Sequence, residues 1–185
     1  MIKENAKKIV ARLTSMGWHI VTMESCTGGG LANLITNVPG SSAVLMDSFV
    51  TYSNDAKIKL GIPAELIEEH TVYSTQVAEA MAEQAVAISI AGVKNIVGVG
   101  VTGSLTREDP NNPNSEPGKV YASVCMSDGV DSTFFDYEIY VTGDDREKGK
   151  EEILKSLLEL ILDNLQLKPE GGLDAEKNNP DYRLL

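Results

Sequence analysis

One segment constrains the fold more than any other. The apolar run His19-Ile20-Val21 passes through Thr22-Met23-Glu24 into Ser25-Cys26-Thr27 and then three consecutive glycines, Gly28 to Gly30. Leu31, Leu34, Ile35 and Val38 follow at the spacing of one helix face. A strand that turns through glycine straight into a helix is an α/β building unit. The turn is also a place for negative charge, because the first N–H groups of a helix lack intrahelical partners and the helix dipole has its positive end there. Two occupants fit: a bound phosphate, or the oxyanion that develops during acyl transfer. Ser25 is the lead candidate for a reacting group.

The rest of the chain alternates in the same manner. Ala6, Ile9, Val10 and Leu13 mark an amphipathic first helix stopped by Gly17, and a strand is expected over about residues 18–23. Residues 38–42, Val-Pro-Gly-Ser-Ser, read as a loop, and 48–52 as a strand. Ser53 or Asn54 then caps a short helix carrying Lys57, and Ile62-Pro63 opens another that ends near His70. Ser74 caps an alanine-rich helix to about residue 90, with Val77, Met81, Ala85 and Ile88 on its inner face. Residues 95–101 have the composition of a buried strand ending at Thr102-Gly103. Residues 104–118 form a long polar loop, and loops of that length are functional or disordered. Residues 119–126 and 133–141 alternate as an antiparallel pair around Ser127-Asp128-Gly129. A last helix over about 145–165 presents Leu154, Leu157, Leu158, Ile161 and Leu165. The order predicts a three-layer α/β/α sandwich with a mixed β-sheet, as one domain over residues 1–166, and a polar, mobile tail over 167–185.

Charge and composition exclude several functions. A net charge of −11 argues against a nucleic-acid partner, which needs a basic surface. With Cys26 and Cys125 as the two cysteines and His19 and His70 as the two histidines, no metal site and no disulfide framework is expected. No apolar run of about 18 residues occurs, so no membrane partner is expected either. A cytoplasmic protein acting on a small molecule, without a cofactor, is the expectation.

A serine hydroxyl needs a neighbouring base. His19 falls at the start of its strand, far from the glycine turn, and His70 reads as a helix C-terminal residue. Lysine is the other option, because burial or a nearby positive field lowers its pKa. Lys57 falls in the first turn of its predicted helix, where the dipole disfavours a cation, although Asp55 opposes this and an exposed lysine is the plain alternative. Tyr52, ending its strand, is placed to relay or donate a proton, or to pack as an ordinary tyrosine. Cys26 is a rival nucleophile, since a helix N-terminus lowers a thiol pKa, and Glu24 reads as an organiser of the turn.

Taken together, Glu24-Ser25-Cys26-Thr27-Gly28-Gly29, Val38-Pro39-Gly40-Ser41-Ser42 and Val50-Thr51-Tyr52-Ser53-Asn54-Asp55-Ala56-Lys57 resemble the signature blocks of the CinA C-terminal domain family, which includes stand-alone nicotinamide-nucleotide amidases of the PncC type. The similarity runs on through Leu60-Gly61-Ile62-Pro63, Val101-Thr102-Gly103, Pro117-Gly118-Lys119-Val120-Tyr121 and Gly143-Asp144-Asp145-Arg146, over about residues 5–165. The resemblance implies an amidohydrolase that converts nicotinamide mononucleotide to nicotinate mononucleotide and ammonia, without a metal, in a homo-oligomer. By the same resemblance Ser25 matches the nucleophile, Lys57 the general base and Tyr52 the assisting tyrosine. Backbone donors around Cys26, Thr27, Gly28 and Gly29 then hold the oxyanion, Thr102 is a polar site residue, and Ser41, Ser42 and Arg146 are expected on the phosphate.

The match fails after Gly103. Most of the family carry Gly-Ile-Ala-Gly-Pro and a glycine-rich loop there, whereas this chain reads Ser104-Leu105-Thr106-Arg107-Glu108-Asp109-Pro110. That leaves the substrate open to another carboxamide nucleotide. A non-catalytic nucleotide-binding module of the same fold is the alternative from a different class. A phosphotransferase is disfavoured, because the glycine turn lacks the Gly-x-x-x-x-Gly-Lys-Ser/Thr spacing.

Overall fold

The computed structural model describes residues 1–89, 93–110, 112, 115–143 and 145–167. The expected tail lies outside the described residues apart from Leu167, which still belongs to the last helix. In chain order the elements are α1 (Ile2–Met16), β1 (His19–Glu24), α2 (Gly30–Thr36), a 3-10 turn (Ser41–Ala43), β2 (Leu45–Val50), α3 (Asn54–Lys59), α4 (Ala64–His70), α5 (Thr75–Ile88), β3 (Ile96–Gly103), β4 (Lys119–Ser127), β5 (Ser132–Tyr140) and α6 (Arg146–Leu167).

The five strands form one mixed sheet in the order β2-β1-β3-β4-β5. β1 runs parallel to both β2 and β3, while β4 is antiparallel to β3 and to β5. Helices cover both faces, as the alternation of elements predicts. On one face Ile20 of β1 and Val97, Val99 and Val101 of β3 pack with the apolar sides of α1, α2 and α6, around Ile9, Leu13, Leu31, Leu157 and Ile161. On the other, Val21 and Met23 of β1 meet Val77, Met81 and Ala85 of α5. The period-two alternation of β1 therefore sends Thr22 and Glu24 towards α2, a placement that decides the shape of the site.

β2 connects back to β3 past β1, so β1 lies between strands entered from opposite directions. In open α/β sheets the crevice beyond the strand C-termini at such a reversal is where ligands bind. Here Ser25 follows β1, Thr51 follows β2 and Ser104 follows β3, all at that end.

Three sequence expectations shift at their edges. The second strand comes about three residues earlier than expected, at Leu45–Val50. Thr51 and Tyr52 leave the ladder, although the Thr51 N–H still donates to the Glu24 carbonyl at 2.8 Å. The second helix ends at Thr36, so Val38 contributes to the core from a loop. The third helix is only six residues long and ends at Lys59, so Lys57 belongs to its last turn as much as its first.

Gly98 and Gly100 of β3 face α5 so closely that a Cβ on either would run into helix backbone, at the Ala82 carbonyl and the Ala78 carbonyl respectively. Small residues on both sides let the helix sit directly on the strand. Gly100→Ala is expected to destabilise the protein by roughly 2 kcal/mol, read as a lower urea midpoint with unchanged slope.

Candidate active site

Glu24 fixes the glycine turn. Its side chain has no solvent exposure. It accepts hydrogen bonds from Thr27 Oγ1 at 2.7 Å, from the N–H groups of Leu31 and Ala32 at 3.0 Å each, and from Thr22 Oγ1 at 3.3 Å. The sequence expectation of an open anion site at the helix start is corrected by this. Glu24 occupies two of the free donors of α2 and sets a negative charge against the positive end of its dipole. Gly28 N–H donates to the Ser25 carbonyl and Gly30 N–H to the Thr27 carbonyl. Among the described residues, Cys26, Thr27 and Gly29 are the turn positions whose N–H groups take no backbone acceptor.

Ser25 is held by its own N–H, which donates to the Val101 carbonyl of β3 at 3.0 Å. The Lys57 ammonium reaches the Ser25 hydroxyl oxygen at 3.0 Å and donates to the Thr51 carbonyl at 2.8 Å. Lys57 is only 1% exposed. Burial lowers its pKa from 10.5 to about 8, partly opposed by the Asp109 carboxylate. The depression expected from the sequence is present, but its cause is desolvation. Lys57 arrives there because Ser53 caps α3, accepting from Ala56 N–H at 3.1 Å, and the helix then points Lys57 back across the ends of β1 and β2.

Tyr52 is 62% exposed, and its hydroxyl accepts a hydrogen bond from Arg146 Nη2 at 3.1 Å. Among the described residues it has no hydrogen bond to Ser25 or Lys57. The relay role read from sequence therefore gives way to a place at the mouth of the pocket. Cys26 is buried beside the dyad, and desolvation pushes its thiol up to about 12, which keeps it protonated.

The pocket around these groups is a cleft of about 610 Å³ lined by Ser25, Cys26, Tyr52, Lys57, Tyr73, Asp109 and Arg146, with others between. Its size lies in the range of small-molecule sites. Of the residues singled out in the sequence, the structure brings Ser25, Cys26, Lys57, Tyr52 and Arg146 together there. Thr27, Gly28 and Gly29 shape the turn from behind without lining the cleft. Thr102 is fully buried, with its hydroxyl donating to the Val72 carbonyl at 2.8 Å, so it supports the wall instead of facing a ligand. Ser41 and Ser42 precede β2, and the following Val44 carbonyl accepts from Ile20 at the start of β1. That places both serines at the opposite end of the parallel strands from Ser25, and the expectation that they meet the ligand is not met within the chain.

Sequence reasoning missed three residues. Tyr73 lines the cleft and donates from its hydroxyl to Asp109 Oδ2 at 2.8 Å; burial and that carboxylate push its pKa upward. It is presented by a turn at Thr71, which takes φ 63 and ψ 166, a conformation that costs a β-branched residue on the order of 1–3 kcal/mol. The Thr71 hydroxyl oxygen accepts from Tyr73 N–H at 3.2 Å, and the Ser74 hydroxyl donates to the Thr71 carbonyl at 3.1 Å. Asp109 itself comes from the divergent loop. Lys150, one helical turn after Arg146 on α6, sets its ammonium beside Gly28, 3.6 Å from where a Cβ would stand. The spacing of Arg146 and Lys150 was the available signal for a pair of cations on one helix face.

A family model of the CinA C-terminal domain matches residues 2–165. The chain belongs to that family. Among curated relatives it is similar to a putative competence-damage inducible protein of Caldicellulosiruptor bescii, 34% identical over 155 residues that make up 83% of this chain and 35% of the relative. A second relative of that name, from Halalkalibacterium halodurans, is 32% identical over 91% of this chain and 38% of its own length. The chain thus spans little more than a third of these curated relatives. Of solved structures, the competence/damage inducible protein CihA from Agrobacterium tumefaciens superposes with a TM-score of 0.74 at 30% identity, covering 89% of this chain and 95% of that one. A CinA superfamily protein from Klebsiella pneumoniae has the same fold, with a TM-score of 0.79 at 21% identity over 90% of this chain and 98% of that one.

The buried lysine generates a stability prediction. Its drop from 10.5 to about 8 corresponds to roughly 3 kcal/mol, of which the lost bond to the Thr51 carbonyl offsets about 1–2. Lys57→Met is therefore expected to gain on the order of 1–2 kcal/mol at pH 7. The unfolded chain binds the extra proton between about pH 8 and 10.5, so the wild type gains stability as pH rises through that window. The advantage of the variant should shrink across the same range, as followed by thermal melts at stepped pH.

Proposed function

We propose that the protein is a serine–lysine amidohydrolase that removes ammonia from nicotinamide mononucleotide. The observation that carries this reading is the buried, pKa-lowered Lys57 amine 3.0 Å from the Ser25 hydroxyl. Binding alone gives no reason to bury an amine against a serine, whereas a base for a nucleophile does.

The neutral amine keeps one N–H on the Thr51 carbonyl and turns its lone pair to Ser25. As Ser25 Oγ attacks the carboxamide carbon, its proton passes directly to Lys57 Nζ, with no need of Tyr52. The Cys26 N–H, next to Ser25 in the lining of the cleft, is the donor offered to the developing oxyanion, where one such donor is worth about 10²–10³ in rate. Protonated Lys57 then gives its proton to the leaving nitrogen, and ammonia departs. Water, deprotonated by the same amine, attacks the acyl-serine and releases the carboxylate product.

The ligand's phosphate falls to Arg146 at the mouth, with the Lys150 ammonium one turn further along α6 beside Gly28. Arginine offers a planar pair of donors and lysine a point charge. Tyr52, by holding the Arg146 guanidinium, orients this end of the cleft.

A coupled assay with the full chain is expected to show ammonia release from nicotinamide mononucleotide, reduced by about 10⁴-fold or more in Ser25→Ala with the fold retained. Folded protein that releases no ammonia from any of a panel of carboxamide nucleotides sinks the proposal. Because the base acts uncharged, kcat/KM should rise about tenfold per pH unit and level off above about pH 8. A flat profile between pH 6 and 9 argues against Lys57 as the base.

A further inference from the structure

We infer that Asp109 makes the cleft selective for carboxamide nucleotides whose ring carries a fixed positive charge. This rests on the amidohydrolase reading and adds the ligand feature that the pocket recognises. Three acidic side chains line the cleft: Asp55 and Glu108 are exposed, whereas Asp109 is half-buried. Its carboxylate is held in place. Tyr73 Oη at 2.8 Å and Asn112 Nδ2 at 2.6 Å both donate to Oδ2, and its own N–H donates to Ser115 Oγ at 2.7 Å. Asn112 is in turn tied to Asn54 at the start of α3, whose Nδ2 donates to Asn112 Oδ1 at 2.9 Å. The loop is thereby fastened to the helix that carries Lys57.

The charge of Asp109 is felt at Lys57, so it acts on the reacting end of the cleft. For a neutral amide that is a handicap. A carboxylate there opposes the oxyanion and works against deprotonation of the lysine. A ligand that brings its own cation reverses the balance. In a pyridinium carboxamide the charged ring nitrogen is meta to the carboxamide carbon. A ring with its amide at Ser25 therefore carries the charge into the same half of the cleft. The loop that interrupts the family pattern is then the element that reads ring charge.

Calorimetry on the full chain carrying Ser25→Ala tests this without turnover. The ligands are nicotinamide mononucleotide and its 1,4-dihydro form, which share phosphate, ribose and amide but differ in ring charge. The oxidised form is expected to bind about 10- to 100-fold more tightly. Adding Asp109→Asn should remove most of that preference by weakening the oxidised form alone. Tyr73→Phe, which loosens the loop but keeps the carboxylate, should preserve it. Equal affinities for the two ligands in the Ser25→Ala chain overturn the inference by themselves, whether or not the second variant folds. Equal weakening of both ligands by Asp109→Asn, which marks a mere loop anchor, overturns it too, as does failure of the folded protein to bind either. Ammonia release without a charge preference leaves the amidase reading intact and removes this one. A charge preference without ammonia release does the reverse.

Discussion

The Glu24 carboxylate, shut away from solvent at the end of β1, joins a strand terminus to a helix start through Thr27 and the N–H groups of Leu31 and Ala32. A charge in that position is stable only because each of its oxygens is satisfied. The consequence is geometric. The intervening residues have almost no freedom, and Ser25 is set at the sheet edge where β1, β2 and β3 end together. The turn also loses its attraction for a phosphate, and Arg146 of α6 is a cation left lining the cleft.

Lys57 is the second costly group, and it depends on the first. Its amine finds a fixed carbonyl at Thr51, whose N–H is bound to the backbone of Glu24. The strained backbone at Thr71 adds a further expense, held by hydroxyl bonds to Tyr73 and from Ser74. Such expenses concentrated around one cleft are what the proposed function leads one to expect, since sites of chemistry trade stability for geometry. The rest of the molecule is ordinary close-packed α/β structure.

Much of this was legible in the sequence. The hydrophobic periods of α1 and α6 and the caps Gly17, Ser53 and Ser74 stand where the residues indicate, and α5 buries Val77, Met81 and Ala85 as expected while Ile88, at its last turn, is exposed instead of facing inward. Glu24 was readable as an organiser because a carboxylate beside a hydroxyl and glycines has few other uses. What escaped reading depends on three-dimensional neighbours. Burial of Lys57 is invisible in a polar stretch such as Ser-Asn-Asp-Ala-Lys, so a dipole explanation took the place of desolvation. Ser41 and Ser42 look like ligand donors in a string of letters, yet a parallel strand must begin at the far end of its neighbour. Tyr73 and Asp109, 36 residues apart, meet only through the folded loop.

The proposed nucleophile, its proposed base and the carbonyl that holds the base all come from one βαβα stretch, residues 19 to 59. Tyr52 to Asp55 of that stretch also line the cleft, and its remaining walls come from the turn after α4, the loop between β3 and β4, and the start of α6. On the proposed function, exchanging the loop after β3 between relatives alters one wall of the cleft and leaves the Ser25–Lys57 pair in place, so a change of preferred ligand need not cost the reacting groups.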